Sequence, residues 1–145
     1  MTSDALANLA RIKQLKPETP DQAEFNGLVN SAKIKLKDSR IKNLSEESRF
    51  LLTYSAAHAL AVAALRWHGY RSDNRYLVFQ CSQHTVKLPN TKWRVLDKCH
   101  KQRNLAEYQG HLEITPELLK ELDKICEEVL KLVAGLGPIA KNNEH

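Results

Sequence analysis

The chain has 145 residues, of which 42% are hydrophobic and 27% charged, with five glycines and five prolines. This length suits a single domain that buries a core without disulfides or metal, and the composition excludes a disordered or low-complexity chain. The formal net charge of +5 permits an anionic partner but does not require one, because many helical proteins are mildly basic.

The cysteines and the N-terminal residues indicate the cellular compartment. Cys81, Cys99 and Cys126 lie far apart without metal-ligand spacing, so they are predicted to be reduced thiols. The N-terminus carries Asp4 and lacks the cationic head and apolar run of a signal peptide, and the longest uncharged apolar run, residues 59–65, is too short to span a membrane. We therefore expect a soluble cytoplasmic protein that needs no membrane, metal or cofactor.

Two helices are predicted in the first third of the chain. The first covers residues 4–16, with Ser3 as its cap, and ends before Pro17. The second runs over residues 20–42, and the pattern Thr19-Pro20-Asp21-Gln22 opens it as a capping box.

The second half of that helix is rich in cations. They are Lys33, Lys35, Lys37, Arg40 and Lys42. One interpretation is a surface that faces phosphate, and the other is an exposed helix end whose cations interact favourably with the helix dipole. We favour the second.

A central helix is predicted from a cap at Ser45 to about Trp67, before Gly69. Its middle is apolar on nearly every side and rich in alanine, as expected for an element that packs on several flanks. Tyr54 and His58 are polar groups inside this apolar seam and could reach a later helix, although a buried histidine is more commonly a satisfied structural residue.

The remaining segments complete a helical fold. Residues 76–86 fit either strand or helix, and helix is favoured because no second strand is evident. Asn90 is expected to cap a helix that ends at Gly110, and a closing helix should run from Thr115 to Gly135 before a frayed tail over residues 138–145. We predict a compact all-α, up-and-down bundle of about five helices with short loops, forming one domain with its core at about residues 20–136.

A polar stripe distinguishes the helix at residues 93–110, WRVLDKCHKQRNLAEYQG. Residues three or four apart share a helix face, so His100, Asn104 and Tyr108 align, with Arg103 over Glu107 beside them. A solvated helix rarely places an aromatic, a histidine and an amide on one line, and a plain core helix does not carry an arginine there. The stripe is the predicted functional site.

KQRNLAEYQG, preceded by LSEESRFLLTYSAAHALAVAALRWHGYRS, resembles HEPN domains. These helical bundles occur in prokaryotic toxin–antitoxin, defence and nucleotidyltransferase-associated systems. The resemblance covers residues 44–133 and is greatest to a subgroup of small stand-alone HEPN-like proteins. It implies a homodimer, because active HEPN ribonucleases bring two copies of their motif together.

The active motif pairs an Arg with a His five residues on, usually with a polar residue directly after the Arg, and needs no metal. Arg103 and Asn104 match the first two positions, but Tyr108 takes the place of the His. A phenol with an ordinary pKa of about 10 is a poor base at pH 7, whereas an arginine can still bind phosphate with two parallel hydrogen bonds. Binding is therefore favoured over cleavage. His100 could replace the missing imidazole, and His111 could do so only if the loop that follows the helix folds back.

Three functions remain open at this point. The leading one is binding of RNA or a nucleotide at the dimer axis; an alternative is a metal-independent endoribonuclease toxin, and another is a non-catalytic partner of a protein encoded by an adjacent gene. A purely structural interpretation of the stripe also remains, as an Arg103–Glu107 pair plus an Asn104–Tyr108 contact at a dimer interface.

The leading hypothesis assigns a role to each stripe residue. In it, Arg103 anchors the phosphate, Asn104 orients it and Tyr108 donates a hydrogen bond from its hydroxyl. The residues expected to support them are Glu107, His58 and Tyr54. Lys98, Lys101 and the cations from Lys33 to Lys42 would supply the surrounding positive field.

Overall fold

The described part of the chain consists almost entirely of helices. A computed structural model describes residues 2–110 and 112–140. Within these ranges the elements are α1 (Thr2–Arg11), β1 (Lys16–Pro17), α2 (Gln22–Asp38), α3 (Glu46–Trp67), β2 (Tyr70–Arg71), α4 (Arg75–Gln80), α5 (Ser82–Thr85), α6 (Asn90–Gln109) and α7 (Pro116–Ala134). The predicted all-α bundle is confirmed, with five helices of ten residues or more and two short ones.

Helix α3 lies at the centre and packs against α2, α4, α5, α6, α7 and β2. Small buried side chains let these neighbours approach its backbone closely. They are Ala56, Ala57, Ala61, Ala63 and Ala64. By length and composition α3 could cross a membrane, but 61% of its apolar window is buried inside the fold, as in the core helix of a soluble protein.

Local capping chemistry sets several helix ends where the sequence places them. The side chain of Ser45 accepts a hydrogen bond from the backbone N–H of Ser48, and Thr115 caps α7 in the same way. Gly110 ends α6 in the left-handed conformation, with a φ of 79°. This conformation suits glycine because it has no Cβ to clash with the backbone. The predicted caps of α3 and α7 are confirmed.

The first two helices differ from their predicted bounds. Helix α1 ends at Arg11 rather than at residue 16, because the chain turns at Lys13 (φ 65°) and then enters β1. Helix α2 begins at Gln22, since the side chain of Asp21, not Thr19, accepts the N–H of Glu24. It ends at Asp38, four residues before the predicted end.

Two further expectations are corrected between residues 70 and 90. A short antiparallel ladder pairs Lys16 with Arg71 and Pro17 with Tyr70, so a small sheet exists where none was expected. Asn90 is the first residue of α6 rather than its cap, and its side chain accepts the indole N–H of Trp93 at 2.8 Å. The favoured helical assignment of residues 76–86 is confirmed, although the segment is divided into α4 and α5.

A buried arginine joins α2 and the residues that follow β1 to α3. The side chain of Arg66 is 2% exposed; its Nε donates to Glu24 at 2.8 Å and its Nη2 to the carbonyl of Thr19 at 2.7 Å. Arg71 on β2 donates to both Glu18 and Glu24. The charge of Arg66 is thus satisfied inside the protein, as a buried charge requires.

The C-terminal described residues return to the beginning of α2. Ile139 packs against the core, and its N–H donates to the side chain of Gln22 at 2.7 Å. Trp67 donates its indole N–H to the carbonyl of Gly137 at 3.0 Å. Residues 141–145, where the predicted tail continues, lie outside the described ranges.

Candidate functional site

The polar stripe of α6 meets α3 through a chain of hydrogen bonds. The first half of α6 packs on the core through the buried side chains of Trp93, Leu96 and Cys99. One turn on, His100 points its Nδ1 to the hydroxyl of Tyr54 at 3.1 Å, and its Nε2 lies 3.3 Å from the amide nitrogen of Asn104. Two predicted stripe residues are therefore joined to the Tyr54 of the central helix.

Tyr54 is the centre of a group of aromatic rings. Its ring lies between those of His58 and His100 and nearly parallel to both, with centroids 6.5 Å from each and interplanar angles of 12° and 11°. Phe79 on α4 meets it edge-on at 5.8 Å. Tyr54 itself is 2% exposed. These rings hold the phenol in one orientation and present its hydroxyl towards α4 and α6.

Two guanidinium groups lie against this phenol. The Arg103 guanidinium is 5.6 Å from the centre of the Tyr54 ring and that of Arg75 is 5.9 Å from it. Arg75 also donates from Nη1 to the Tyr54 hydroxyl at 3.2 Å. An aromatic face attracts cations through its quadrupole, so the buried ring positions both arginines. We call Tyr54, Arg75, His100, Arg103 and Asn104 the Tyr54 cluster.

The two arginines differ in their carboxylate contacts. Arg103 forms an ion pair with Glu107 at 3.2 Å, and 61% of the Glu107 side chain is exposed. Arg75 makes no ion pair within residues 2–110 and 112–140. The cluster thus holds two guanidinium charges, and among the described residues only Glu107 forms an ion pair with either of them.

The histidine and the tyrosine of the cluster are both neutral at pH 7. Burial, reinforced by the charges of Arg75 and Arg103 and opposed by Asp97, lowers the pKa of His100. Burial also raises the pKa of the Tyr54 phenol. With the Asn104 amide oriented as found, its N–H donates to Nε2 and the ring proton of His100 lies on Nδ1, which donates to the phenol oxygen.

His58 lies on the other side of Tyr54 and does not contact the α6 stripe directly. Burial, together with the charges of Arg75, His100, Arg103 and Lys35, lowers its pKa to about 4. It is a neutral imidazole at pH 7, stacked on Tyr54. Of the two supporting residues predicted on α3, Tyr54 therefore belongs to the Tyr54 cluster and His58 lies next to it.

No family model, curated protein or solved structure matches the chain. The resemblance to HEPN domains therefore rests on the residues quoted for it.

Tyr108, which stands in the place of the motif histidine, lies away from the cluster. Its side chain is 89% exposed. It is one helical turn beyond Asn104, and no hydrogen bond joins it to any residue in the ranges that the structure covers. Glu107 reaches the cluster only through its ion pair with Arg103. His111 lies outside the described residues.

The predicted cationic surroundings are distributed over several surfaces. Lys98 and Lys101 border a shallow depression beside Tyr76 and Trp93, and Lys101 pairs with Asp97 at 3.1 Å. On α2, Lys35 turns inward and donates to Ser55 at 3.2 Å. Arg40 pairs with Asp123 and Glu127 on α7, which satisfies its charge within the fold.

Sequence reasoning missed Arg75 and Phe79. Both belong to α4, the segment whose helix or strand assignment was uncertain, and neither lies near the stripe in the sequence. Nothing local in SDNRYLVF marks Arg75 as a partner of Tyr54, because their contact depends on how α4 packs against α3. Only the apolar character of Phe79 indicated that it would be buried.

The arrangement suits an anion better than a metal. No group of three or more His, Cys, Asp or Glu side chains that could hold a metal ion occurs in the described ranges. Guanidinium groups bind phosphate or carboxylate oxygens with two parallel hydrogen bonds, and the amide and imidazole supply neutral partners beside them.

Proposed function

We propose that this protein binds RNA or a nucleotide through the Tyr54 cluster, as an HEPN-like helical dimer in the cytoplasm. The observation that carries the proposal is the placement of Arg75 and Arg103 over one buried phenol, at 5.9 and 5.6 Å from its ring centre. Two cations held together without two matching carboxylates favour an anionic ligand.

A phosphate can replace the internal partner of Arg103 at low cost. Exposed ion pairs contribute only about 0–1 kcal/mol, and Glu107 is largely solvated. A phosphate bound by Arg103 would also be attracted to Arg75, which has no carboxylate to give up. Arg103 is thus the phosphate anchor of the proposal, and Asn104 orients the ligand from the next position on α6.

The exposed phenol of Tyr108 gives the proposed site a preference for single strands. An aromatic side chain that is 89% exposed can stack on an unpaired base, and such stacking contributes about 1–3 kcal/mol per base. Duplex RNA buries its bases and cannot use such a ring. In this proposal Tyr108 therefore serves as a stacking surface with a hydroxyl donor, not as a base.

The proposed dimer would bring two copies of the cluster together. Leu105 and Tyr108 are large apolar residues exposed on the same half of α6 as Arg103. Burial of such residues drives association. The prokaryotic toxin–antitoxin or defence setting follows from the HEPN resemblance and belongs to the same proposal.

The experiment compares two arginine variants on one helix. Arg103→Ala should weaken binding of a single-stranded oligoribonucleotide about tenfold to a hundredfold, because a charge-assisted contact is lost. Arg94→Ala is the matched control: Arg94 is exposed, lies 5.7 Å from an aromatic ring and is not part of the cluster. Fluorescence anisotropy at several salt concentrations measures both. Equal affinities for the two variants would reject the proposal.

RNA cleavage is the second candidate function, and His100 favours it. A neutral imidazole beside two guanidinium groups combines a proton acceptor with cations that can stabilise a phosphorane. Both ring nitrogens are engaged, so Asn104 would have to turn away from Nε2 to free it. Cleavage in EDTA that is lost in His100→Gln would support this function, and intact RNA after prolonged incubation with the native protein would exclude it.

A further inference from the structure

A groove lined by His58 lies beside the Tyr54 cluster, and no described residue of the α6 stripe lines it. This groove, which we call the α2–α3 groove, has a volume of about 460 Å³. Its walls come from α2, α3, α4 and the segment around β2. The volume falls within the range of about 300–1,000 Å³ that is usual for small-molecule sites.

The described residues that line the groove carry more positive than negative charge. Lys35 and Arg75 both line it, and neither forms an ion pair within the described ranges. Both are close enough to His58 to lower its pKa through their charges. Arg66 and Arg71 also reach the groove, but Glu18 and Glu24 neutralise them from behind. Asp73 is the one acidic residue among the described residues that line it.

Apolar side chains form another part of the groove. Leu28, Ala59, Val62 and Val78 line it, and Ser31 and Ser55 add hydroxyl groups near Lys35. Apolar surface with a few charged and polar groups on one side is typical of sites for small amphiphilic ligands. The apolar residues can contact a hydrocarbon ring while the cations hold an anionic head.

We propose that the α2–α3 groove binds a small organic phosphate with an apolar body. Its phosphate lies between Lys35 and Arg75, and its body lies on Ala59, Val62 and Val78. His58 is neutral and can donate or accept one hydrogen bond at the boundary between the two. This site does not depend on the proposed RNA function, because Arg75 is the only described residue that belongs to both the groove and the Tyr54 cluster.

Phenyl phosphate is the probe, since it has one aromatic ring and one phosphate. Isothermal titration calorimetry should give a dissociation constant of about 1 mM for a ligand of this size. Lys35→Ala should weaken binding about tenfold, whereas Lys33→Ala, an exposed lysine on the same helix, should leave it unchanged. Val62→Phe, which fills the apolar part, should also weaken it, with thermal unfolding used to check that each variant folds.

Two simpler ligands separate the contributions. Inorganic phosphate should bind more weakly than phenyl phosphate because it lacks the apolar body, and benzyl alcohol should bind more weakly because it lacks the charge. If either inorganic phosphate or benzyl alcohol binds as tightly as phenyl phosphate, the proposal is overturned. Unchanged phenyl phosphate affinity in Lys35→Ala would also overturn it.

Arg103→Ala distinguishes this site from the proposed RNA site. Retained phenyl phosphate binding in that variant supports a separate groove, whether or not RNA binds. A loss as large as that in Lys35→Ala would place the ligand in the Tyr54 cluster and overturn the proposal.

Discussion

Tyr54 is buried, yet it positions the side chains that form the proposed site. Its ring is 2% exposed, yet it contacts two histidines and two arginines drawn from α3, α4 and α6. Burial raises the pKa of its hydroxyl, so it stays a phenol that accepts from Arg75 rather than becoming a phenolate that competes for the same cation. The positive charge of the arginines therefore remains available.

His58 should make the stability of the protein depend on pH. Its pKa is about 4 in the folded state and about 6.5 in a free chain. Between these values the unfolded chain binds a proton that the folded protein does not, so the free energy of unfolding falls as pH is lowered from about 6.5 to about 4. The contribution of this one group is at most about 3 kcal/mol.

The variant His58→Phe isolates that contribution, because it keeps a ring against Tyr54 and Phe79 but cannot bind a proton. Urea denaturation at pH 7 and at pH 4.5 should show a smaller loss of stability on acidification in the variant than in the native protein. The same pH dependence in both would mean that His58 is not held neutral in the fold.

Among the contacts between elements, those of Arg66 and Arg40 test how burial changes the contribution of an ion pair to the free energy of unfolding. Arg66 joins α2 and the residues after β1 to α3, and its side chain is 2% exposed. The side chain of Arg40, which joins the end of α2 to α7, is 46% exposed. Each contacts two carboxylates. Arg66→Ala should lower the free energy of unfolding by about 3–5 kcal/mol, and Arg40→Ala by no more than about 1 kcal/mol.

Urea unfolding of the two variants, followed by circular dichroism, measures this difference. Arg66→Ala leaves a buried space and removes the donor from the backbone carbonyls of Glu18 and Thr19, which explains the expected asymmetry. Similar losses in both variants would show that Arg66 does not hold the residues after β1 against α3.

The helix ends illustrate what can be predicted from local sequence. Ser45, Thr115 and Gly110 act through hydrogen bonds or dihedral angles within a few residues of themselves, so their roles can be predicted from the sequence. The end of α1 cannot be predicted in this way, because β1 pairs with β2, which lies more than fifty residues later. Thr19 and Asp21 are both acceptable caps, and only the path of the chain after β1 selects Asp21.

In the whole molecule, the sequence predicts the contacts of the site that lie within one helix, but not those that depend on packing between helices. The spacing of His100 and Asn104 on one helix predicts their contact, and the Arg103–Glu107 pair follows from the same rule. That rule also predicts a line continuing to Tyr108, which the structure places in solvent, because α6 extends beyond the helices that cover its first half. Arg75 enters through packing between α3 and α4, which helix periodicity does not encode.

The Tyr54 cluster and the α2–α3 groove lie next to each other along the same stretch of α3. Tyr54 and His58 are one helical turn apart, and Arg75 contacts the first and lines the groove beside the second. A ligand that draws Arg75 into the groove would remove a donor from the Tyr54 hydroxyl. The two surfaces are therefore physically linked through one side chain.

We propose that RNA binds this protein at the Tyr54 cluster, where His100 lies beside Asn104 and Tyr54. The most direct measurement is the imidazole NMR signal of His100, assigned with His100→Gln, while a single-stranded oligoribonucleotide is added. We expect the His100 signal to shift and saturate with the RNA in the native protein, and to stay in place at the same RNA concentrations in Arg103→Ala. RNA that binds without moving the His100 signal, or that moves it equally in both proteins, would contradict binding at the Tyr54 cluster.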